Sequence, residues 1–231
     1  PSVGKTALAL DIGKNAAKAG KTVGFVSLEM PHAELTDRLL ASEGMIDSYK
    51  IKTGKLAEDD WQKLMVASGV LSDLPIYIED SNASTVAEIR SKVTKLKQEK
   101  GLDMLIIDYL QLLSGSGREN RQQEVSRISR TLKQLAGELE IPIIALSQLS
   151  RSVEQREDKR PMLSDLRESG SLEQDSDIVM FLYRDDYYDK ESKDQTIEVI
   201  ISKHRNGSLG TVELAFLKEY SKFVSIKKED Y

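Results

Sequence analysis

The sequence predicts an α/β domain: a mostly parallel, twisted sheet with helices on both faces and antiparallel edge strands at the carboxyl end. Three observations lead there. Apolar, β-rich runs alternate with helix-period patterns through most of the chain. One run, Leu102-Asp103-Met104-Leu105-Ile106-Ile107-Asp108, is almost continuously apolar, as a parallel strand covered on both faces must be. The last third holds four extended runs with almost no helix between them. Repeated βα units followed by such a tail give a parallel sheet extended at one edge.

Taken in order, Ala7, Leu8, Ala9, Leu10, Ile12, Ala16 and Ala17 make a helix that Gly20 closes. Thr22 to Leu28 is a strand. Pro31 to Ala41 is a helix with Leu35, Leu39 and Leu40 on one face, and Ala57 to Leu71 another, with Trp61, Leu64 and Met65 inward. Pro75 to Glu79 is a short strand. Val86 to Glu99 is amphipathic through Val86, Ile89, Val93 and Leu96, and leads into the run at 102–108. Gln122 to Leu139 places Val125, Ile128, Leu132, Leu135 and Leu139 at spacings of three and four. Ile141 to Leu146 is the next strand. Asp177 to Leu182, Thr196 to Ser202, Val212 to Leu217 and Phe223 to Ile226 form the tail. Gly115 to Asn120 and Glu154 to Arg160 read as polar, mobile loops.

The chain has 231 residues, 39% hydrophobic and 31% charged, which suits one large domain spanning 1–231. No apolar run approaches the roughly 20 residues of a membrane span, and there is no secretory core, so no membrane association and a cytoplasmic location are expected. The absence of cysteine excludes a disulfide scaffold and thiolate metal sites. With only His32 and His204, a histidine-based zinc site is excluded in practice. A formal charge of −5 carries no global sign of a nucleic-acid partner, so any polyanion site must be local or shared among subunits.

The chain opens on Pro1-Ser2-Val3-Gly4-Lys5-Thr6, the second half of a phosphate-binding loop. In such a loop backbone N–H groups cradle phosphates, the lysine reaches the terminal phosphates and the hydroxyl binds Mg²⁺. Ser2, Val3, Gly4, Lys5, Thr6 and Ala7 are therefore the candidate nucleotide-binding residues. The first glycine of the motif falls two residues before Pro1, so the chain is expected to be cut within the loop, with a targeting segment upstream left open. A second Gly20-Lys21-Thr22 ends a helix and opens a strand, and lacks the helix amino terminus that a phosphate needs.

Ligands of open α/β sheets bind at the carboxyl ends of strands. Glu29, Asp108 and Gln148 each lie where an expected strand stops. Singly, each is more often a cap, a solvated loop residue or a structural amide. Together with the loop they match phosphoryl transfer to water: Thr6 and Asp108 for the metal, Lys5 for the phosphates, Glu29 for the water, and Gln148 as a reporter of the γ-phosphate.

Five blocks carry a resemblance: Gly4-Lys5-Thr6, Ser27-Leu28-Glu29-Met30, Leu105-Ile106-Ile107-Asp108-Tyr109-Leu110-Gln111, Ser147-Gln148-Leu149-Ser150-Arg151 and Lys203-His204-Arg205-Asn206-Gly207. In this order they resemble the RecA-like carboxyl-terminal motor domain of bacterial replicative helicases of the DnaB type. The likeness runs over nearly the whole chain, without the family's amino-terminal collar domain and linker helix. It implies a RecA-like P-loop fold and a homohexameric ring that hydrolyses ATP or another nucleoside triphosphate between subunits, with Mg²⁺. Single-stranded DNA, primase and a helicase loader are the implied partners. Glu29 is implied as catalytic carboxylate, Asp108 as the metal-side acid and Gln148 as sensor, with Lys203 and Arg205 reaching a neighbour's site. As residues alone, Lys203 and Arg205 also describe a cationic strand end before an Asn-Gly turn.

The same likeness places DNA contacts on Ser114 to Arg121, through Arg118, Asn120 and Arg121, and around Arg167, Glu168, Ser169 and Gly170. Neither segment is strongly basic or carries an aromatic platform, so contact is expected to phosphate and sugar, summed over six copies. Trp61 and Tyr183, Tyr187 and Tyr188 are discounted as ligand stackers, although one tyrosine near the nucleotide could meet the base. Asp185, Asp186 and Asp189 read as a solvated turn. A RecA/RadA-like recombination or repair ATPase shares the core chemistry, and a nucleotide-binding module with vestigial hydrolysis is the reading from another class.

Overall fold

The stretch that reads most clearly as a covered strand becomes one of the two inner strands of a parallel sheet. The computed structural model describes residues 3–80, 85–113, 121–188 and 195–226; at 121, 151–152 and 167–169 it describes the backbone alone. The elements run α1 (Lys5–Lys18), β1 (Val23–Ser27), α2 (His32–Gly44), α3 (Ser48–Thr53), α4 (Glu58–Ser72), β2 (Ile76–Glu79), α5 (Val86–Lys100), β3 (Met104–Asp108), α6 (Arg121–Leu139) and β4 (Ile143–Ala145). After these come α7 (Gly170–Asp175), β5 (Ile178–Tyr183), α8 (Asp185–Tyr188), β6 (Thr196–His204), β7 (Gly210–Leu217) and β8 (Lys222–Ser225).

β2, β1, β3 and β4 pair in that order, all parallel. Alternation along the inner strands feeds two cores. Val23 and Phe25 of β1 and Ile106 of β3 pack against α1 and α2 through Ala9, Leu10, Leu35 and Leu39. Val26, Leu105 and Ile107 point the other way, onto α5 and α6. The five apolar residues of α6 named above are all buried, and at about 1.5–3 kcal/mol each they account for its seat on the sheet. Gly13 lets α1 lie close: a Cβ there would come within 3.1 Å of Ile106 Cδ1.

The tail strands hydrogen-bond among themselves as an antiparallel sheet, β5-β6-β7-β8, so the eight strands among the described residues form two sheets of four. Ala7 of α1 packs on Ile197 and Phe216 of that second sheet, and so joins the two. A buried polar network reinforces the joint. Asp11 accepts from the Phe223 amide at 2.7 Å and from Ser42 Oγ at 3.0 Å, and Lys14 lies 3.2 Å from Asp11 and donates to Ser42 Oγ.

Two expectations change. Trp61 and Met65 are 50% and 68% exposed rather than inward. α4 packs mainly on α2 and buries only a narrow stripe through Asp60, Leu64, Ala67 and Leu71, the last of which reaches the core beneath the sheet. The unanticipated α3 is closed by Gly54 in a left-handed conformation, and Lys50 on it pairs with the buried Asp60 at 2.8 Å. Among the described residues no helix is long and apolar enough to cross a membrane.

Candidate active site

The turn before α1 has the geometry that a phosphate loop needs. Gly4 sits at φ 110°, ψ 12°, the Leu8 amide makes the first helical bond to its carbonyl at 2.9 Å, and no side chain caps this end. The amides of Lys5, Thr6 and Ala7 therefore have no partner within the helix, and they stand at its positive pole. Behind the turn are aromatic rings: a Cβ on Gly4 would lie 3.3 Å from Phe223 and 3.7 Å from Phe216, which stack at 4.5 Å. Val3 lies in the preceding bend, Ala7 is buried on the second sheet, and Ser2 lies outside the described residues.

Parallel pairing brings the distant acid to this turn. Ser27 of β1 is in register with Asp108 of β3, and the Leu28 amide donates to the Asp108 carbonyl at 2.7 Å. Thr6 Oγ1 then donates to Asp108 Oδ2 at 2.6 Å, across 102 residues of sequence. Burial pushes the Asp108 carboxyl above the usual carboxylate range, with the Thr6 hydrogen bond and the charges of Lys5 and Arg38 opposing it. Burial likewise lowers Lys5, against the pull of Asp108 and Glu29. A hydroxyl and a carboxylate side by side are hard oxygen donors, the set that suits Mg²⁺ with its few protein ligands and several waters. Among the described residues no group of three acidic, histidine or cysteine side chains offers a fuller metal cage.

Glu29 is exposed just beyond β1, close enough to Lys5 to act on its charge. Lys5 Nζ donates to the Ser147 carbonyl at 2.8 Å, one residue before the exposed Gln148. Gln111, in the 3₁₀ turn after β3, grips that segment: its Nε2 donates to Ser147 Oγ at 2.7 Å and to the Gln148 carbonyl at 3.2 Å, and its Oε1 accepts from the Gln148 amide. Lys5, Thr6, Glu29, Asp108 and Gln148 thus converge on the carboxyl edge of the parallel sheet.

Lys203 and Arg205 do not join them. Ile197 of β6 touches the Gly4 turn, and Lys203 lies six residues farther along the same strand, about 20 Å at the rise of an extended chain. Lys203 Nζ instead caps the carbonyls of Glu173 and Gln174, and Arg205 Nη1 pairs with Asp177 at 3.1 Å. If they serve a nucleotide, it belongs to another subunit.

Of the DNA candidates, Arg118 and Asn120 lie outside the described residues, and Arg121 opens α6. The segment with Arg167 and Glu168 is a 3₁₀ turn, Leu163–Ser169, that runs into α7 at Gly170, where a loop was expected. The loop expected at 154–160 is fastened down: Arg156 makes two bonds to Asp165, and Arg160 pairs with Glu198 at 2.7 Å. Nor is Asp186 solvated; it is buried between Arg184 and Lys218. Tyr183 is in register with Glu198, on the face opposite Ile197 and the phosphate turn. The aromatics next to that turn are Phe216 and Phe223, which sequence reading did not single out. Arg38 was also missed; its only signal is an i,i+4 pairing with Glu34 on the helix that follows Glu29.

The family described as DnaB-like helicase C terminal domain matches residues 1–225. The chain is 61% identical to the replicative DNA helicase DnaB of Geobacillus stearothermophilus, an alignment covering 99% of this chain and 51% of that protein. It spans about half the length of the curated relatives it matches. A solved DnaB-like replicative helicase, described with its interactions with primase, superposes with a TM-score of 0.94 at 51% identity, over 98% of this chain and 56% of that one. The RadB recombinase superposes at 0.55 with 15% identity, over 97% of this chain and 86% of that one, a likeness of fold alone. The chain belongs to the DnaB-like helicase family, as its C terminal domain.

Proposed function

We propose that these 231 residues are the motor domain of an ATP-driven replicative helicase. It hydrolyses nucleoside triphosphate at the interfaces of a homohexameric ring and moves along single-stranded DNA. The observation that carries this reading is the Thr6–Asp108 pair beside Lys5 and Glu29 at one sheet edge, in a chain of this family. Primase and a loader are partners by the same kinship, and one solved relative is described with its primase interactions.

In this mechanism the α1 amides and Lys5 hold the β- and γ-phosphates, and Thr6 and Asp108 would hold a Mg²⁺ ion, which would supply charge neutralisation on the transferring group. An arriving phosphate competes with the Ser147 carbonyl for Lys5, so binding is felt one residue from Gln148. Glu29 orients the attacking water and receives its proton. Lys203 and Arg205, too far from their own site, supply positive charge to the neighbour's, a role worth roughly 10³–10⁵ in rate in related NTPases. A recombination ATPase is the weaker reading, because the recombinase likeness extends to fold alone. In the full-length protein, Glu29→Gln is expected to abolish DNA-stimulated hydrolysis while nucleotide still binds. Undiminished turnover in that variant rejects the mechanism.

A further inference from the structure

The reading of Arg205 as a residue that works in a neighbour's site leaves open what aims its guanidinium. β5 and β6 pair antiparallel up to Ile178 and His204, and Asp177 and Arg205 are the next residues beyond that pair. The Arg205 amide donates to the Asp177 carbonyl at 2.8 Å, so the two backbones are fixed against each other. Arg205 Nη1 lies 3.1 Å from Asp177 Oδ1, and the other carboxylate oxygen accepts from Lys133 of α6. One carboxylate thus holds two cations, one on each oxygen. Lys133, Arg205 and Lys203 keep it below the usual range, the Lys133 hydrogen bond most of all.

The surroundings of this carboxylate form a continuous chain of contacts. Ser126, Ser129 and Lys133 lie on one stripe of α6, at spacings of three and four. Ser126 accepts from Ser171 Oγ at 2.8 Å, Ser129 donates to Asp175 at 2.7 Å, and Lys133 reaches Asp177. Lys203 closes the other side by capping the last carbonyls of α7. α6 begins at Arg121 and α7 at Gly170, where the two candidate DNA-contacting segments end. Side chains on both sides of the Asp177–Arg205 pair are about half exposed, and exposed pairs of this kind add little to stability. Its physical consequence is direction.

We propose that Asp177 is the positioning residue for Arg205, and that through Lys133 it ties the aim of that guanidinium to α6. Removing the charge while keeping the shape then releases Arg205 without disturbing the fold or the nucleotide's own site.

The test is a double-mutant cycle in the full-length protein, reading DNA-stimulated ATP hydrolysis, melting temperature and ring formation. Asp177→Asn is expected to lower kcat about tenfold or more, since small misplacements of a catalytic group are that costly, with KM for ATP, melting temperature and ring assembly unchanged. In an Arg205→Ala background it is expected to have no further effect, and Asp177→Glu is expected to recover part of the loss. Wild-type kcat in Asp177→Asn, or losses that multiply with Arg205→Ala, overturn the proposal while the interface mechanism stands. Wild-type kcat in Arg205→Ala overturns the underlying reading instead. If Asp177→Asn fails to assemble, Asp177→Ser carries the same cycle, with the same outcomes deciding it.

Discussion

Replacing Gly4 by alanine perturbs the phosphate turn in two ways that can be measured apart. The residue sits at φ 110°, where a side chain is strained by about 1–3 kcal/mol. The added Cβ also meets Phe223 at 3.3 Å, Phe216 at 3.7 Å and Ile197 at 3.8 Å. These three belong to the packed face of the second sheet, with Ile197 fully buried and the two rings stacked, so little can give way. A total near 2 kcal/mol lowers the melting midpoint by about 4–8 °C in a domain of this size. Bound nucleotide reports the second effect. At about 100 times its Kd, MgADP stabilises the wild type by about 2.7 kcal/mol. Relief of strain by a shift of the turn re-aims the Lys5, Thr6 and Ala7 amides, so the variant is expected to gain much less. Thermal melts of both proteins with and without MgADP make the measurement. A variant that melts with the wild type refutes the strain argument, and one that loses stability but keeps the full nucleotide gain refutes the assignment of those amides to phosphate.

Three further outcomes follow from the same geometry. Asp108→Asn is expected to abolish hydrolysis yet melt no lower than the wild type at pH 7. Burial raises the folded carboxyl, so its stabilising contribution is complete below the unfolded value near pH 4 and lost as pH rises through the folded one. The variant's advantage should therefore vanish in melts near pH 4. Lys14→Met removes a cation that is 3% exposed and leaves Asp11 and Glu43 without it, and chemical denaturation should show a loss of about 3–5 kcal/mol. Replacing Arg118, Arg121 and Arg167 together by alanine should weaken single-stranded DNA binding uniformly across sequences and flatten its salt dependence, as fluorescence anisotropy at several salt concentrations will show.

Much of this was legible in the residues themselves. The continuous apolar run at 104–107 and the three-four spacing of α6 specify covered strand and packed helix with little competition. Gly4, Lys5, Thr6, Glu29, Asp108 and Gln148 come together at one sheet edge because each stands at a helix start, or at or beyond a strand end. Other features depend on partners that no local pattern announces. Trp61 reads as core because its helix is amphipathic, but α4 packs mainly on α2, and a narrower stripe is buried. The tail strands pair with one another because of tertiary register, which strand propensity does not encode. Gln111 and Asp177 act through a backbone amide, a carbonyl and cations far off in sequence, so each looks like an ordinary polar residue until the chain is folded. Asp186 reads as solvated because Lys218 arrives from beyond β7, although its other partner, Arg184, stands only two residues away.

The central claim is that one subunit completes another's site, and subunit mixing tests it most directly. Full-length Glu29→Gln and Arg205→Ala proteins are each expected to be nearly inactive in DNA-stimulated ATP hydrolysis. In rings assembled from equal amounts of both, an Arg205→Ala subunit keeps its own Glu29 and can receive Arg205 from a Glu29→Gln neighbour. Random mixing around a head-to-tail ring makes about a quarter of the interfaces complete, so hydrolysis should return to about a quarter of the wild-type rate. Mixed rings that stay as inactive as either parent would contradict the account.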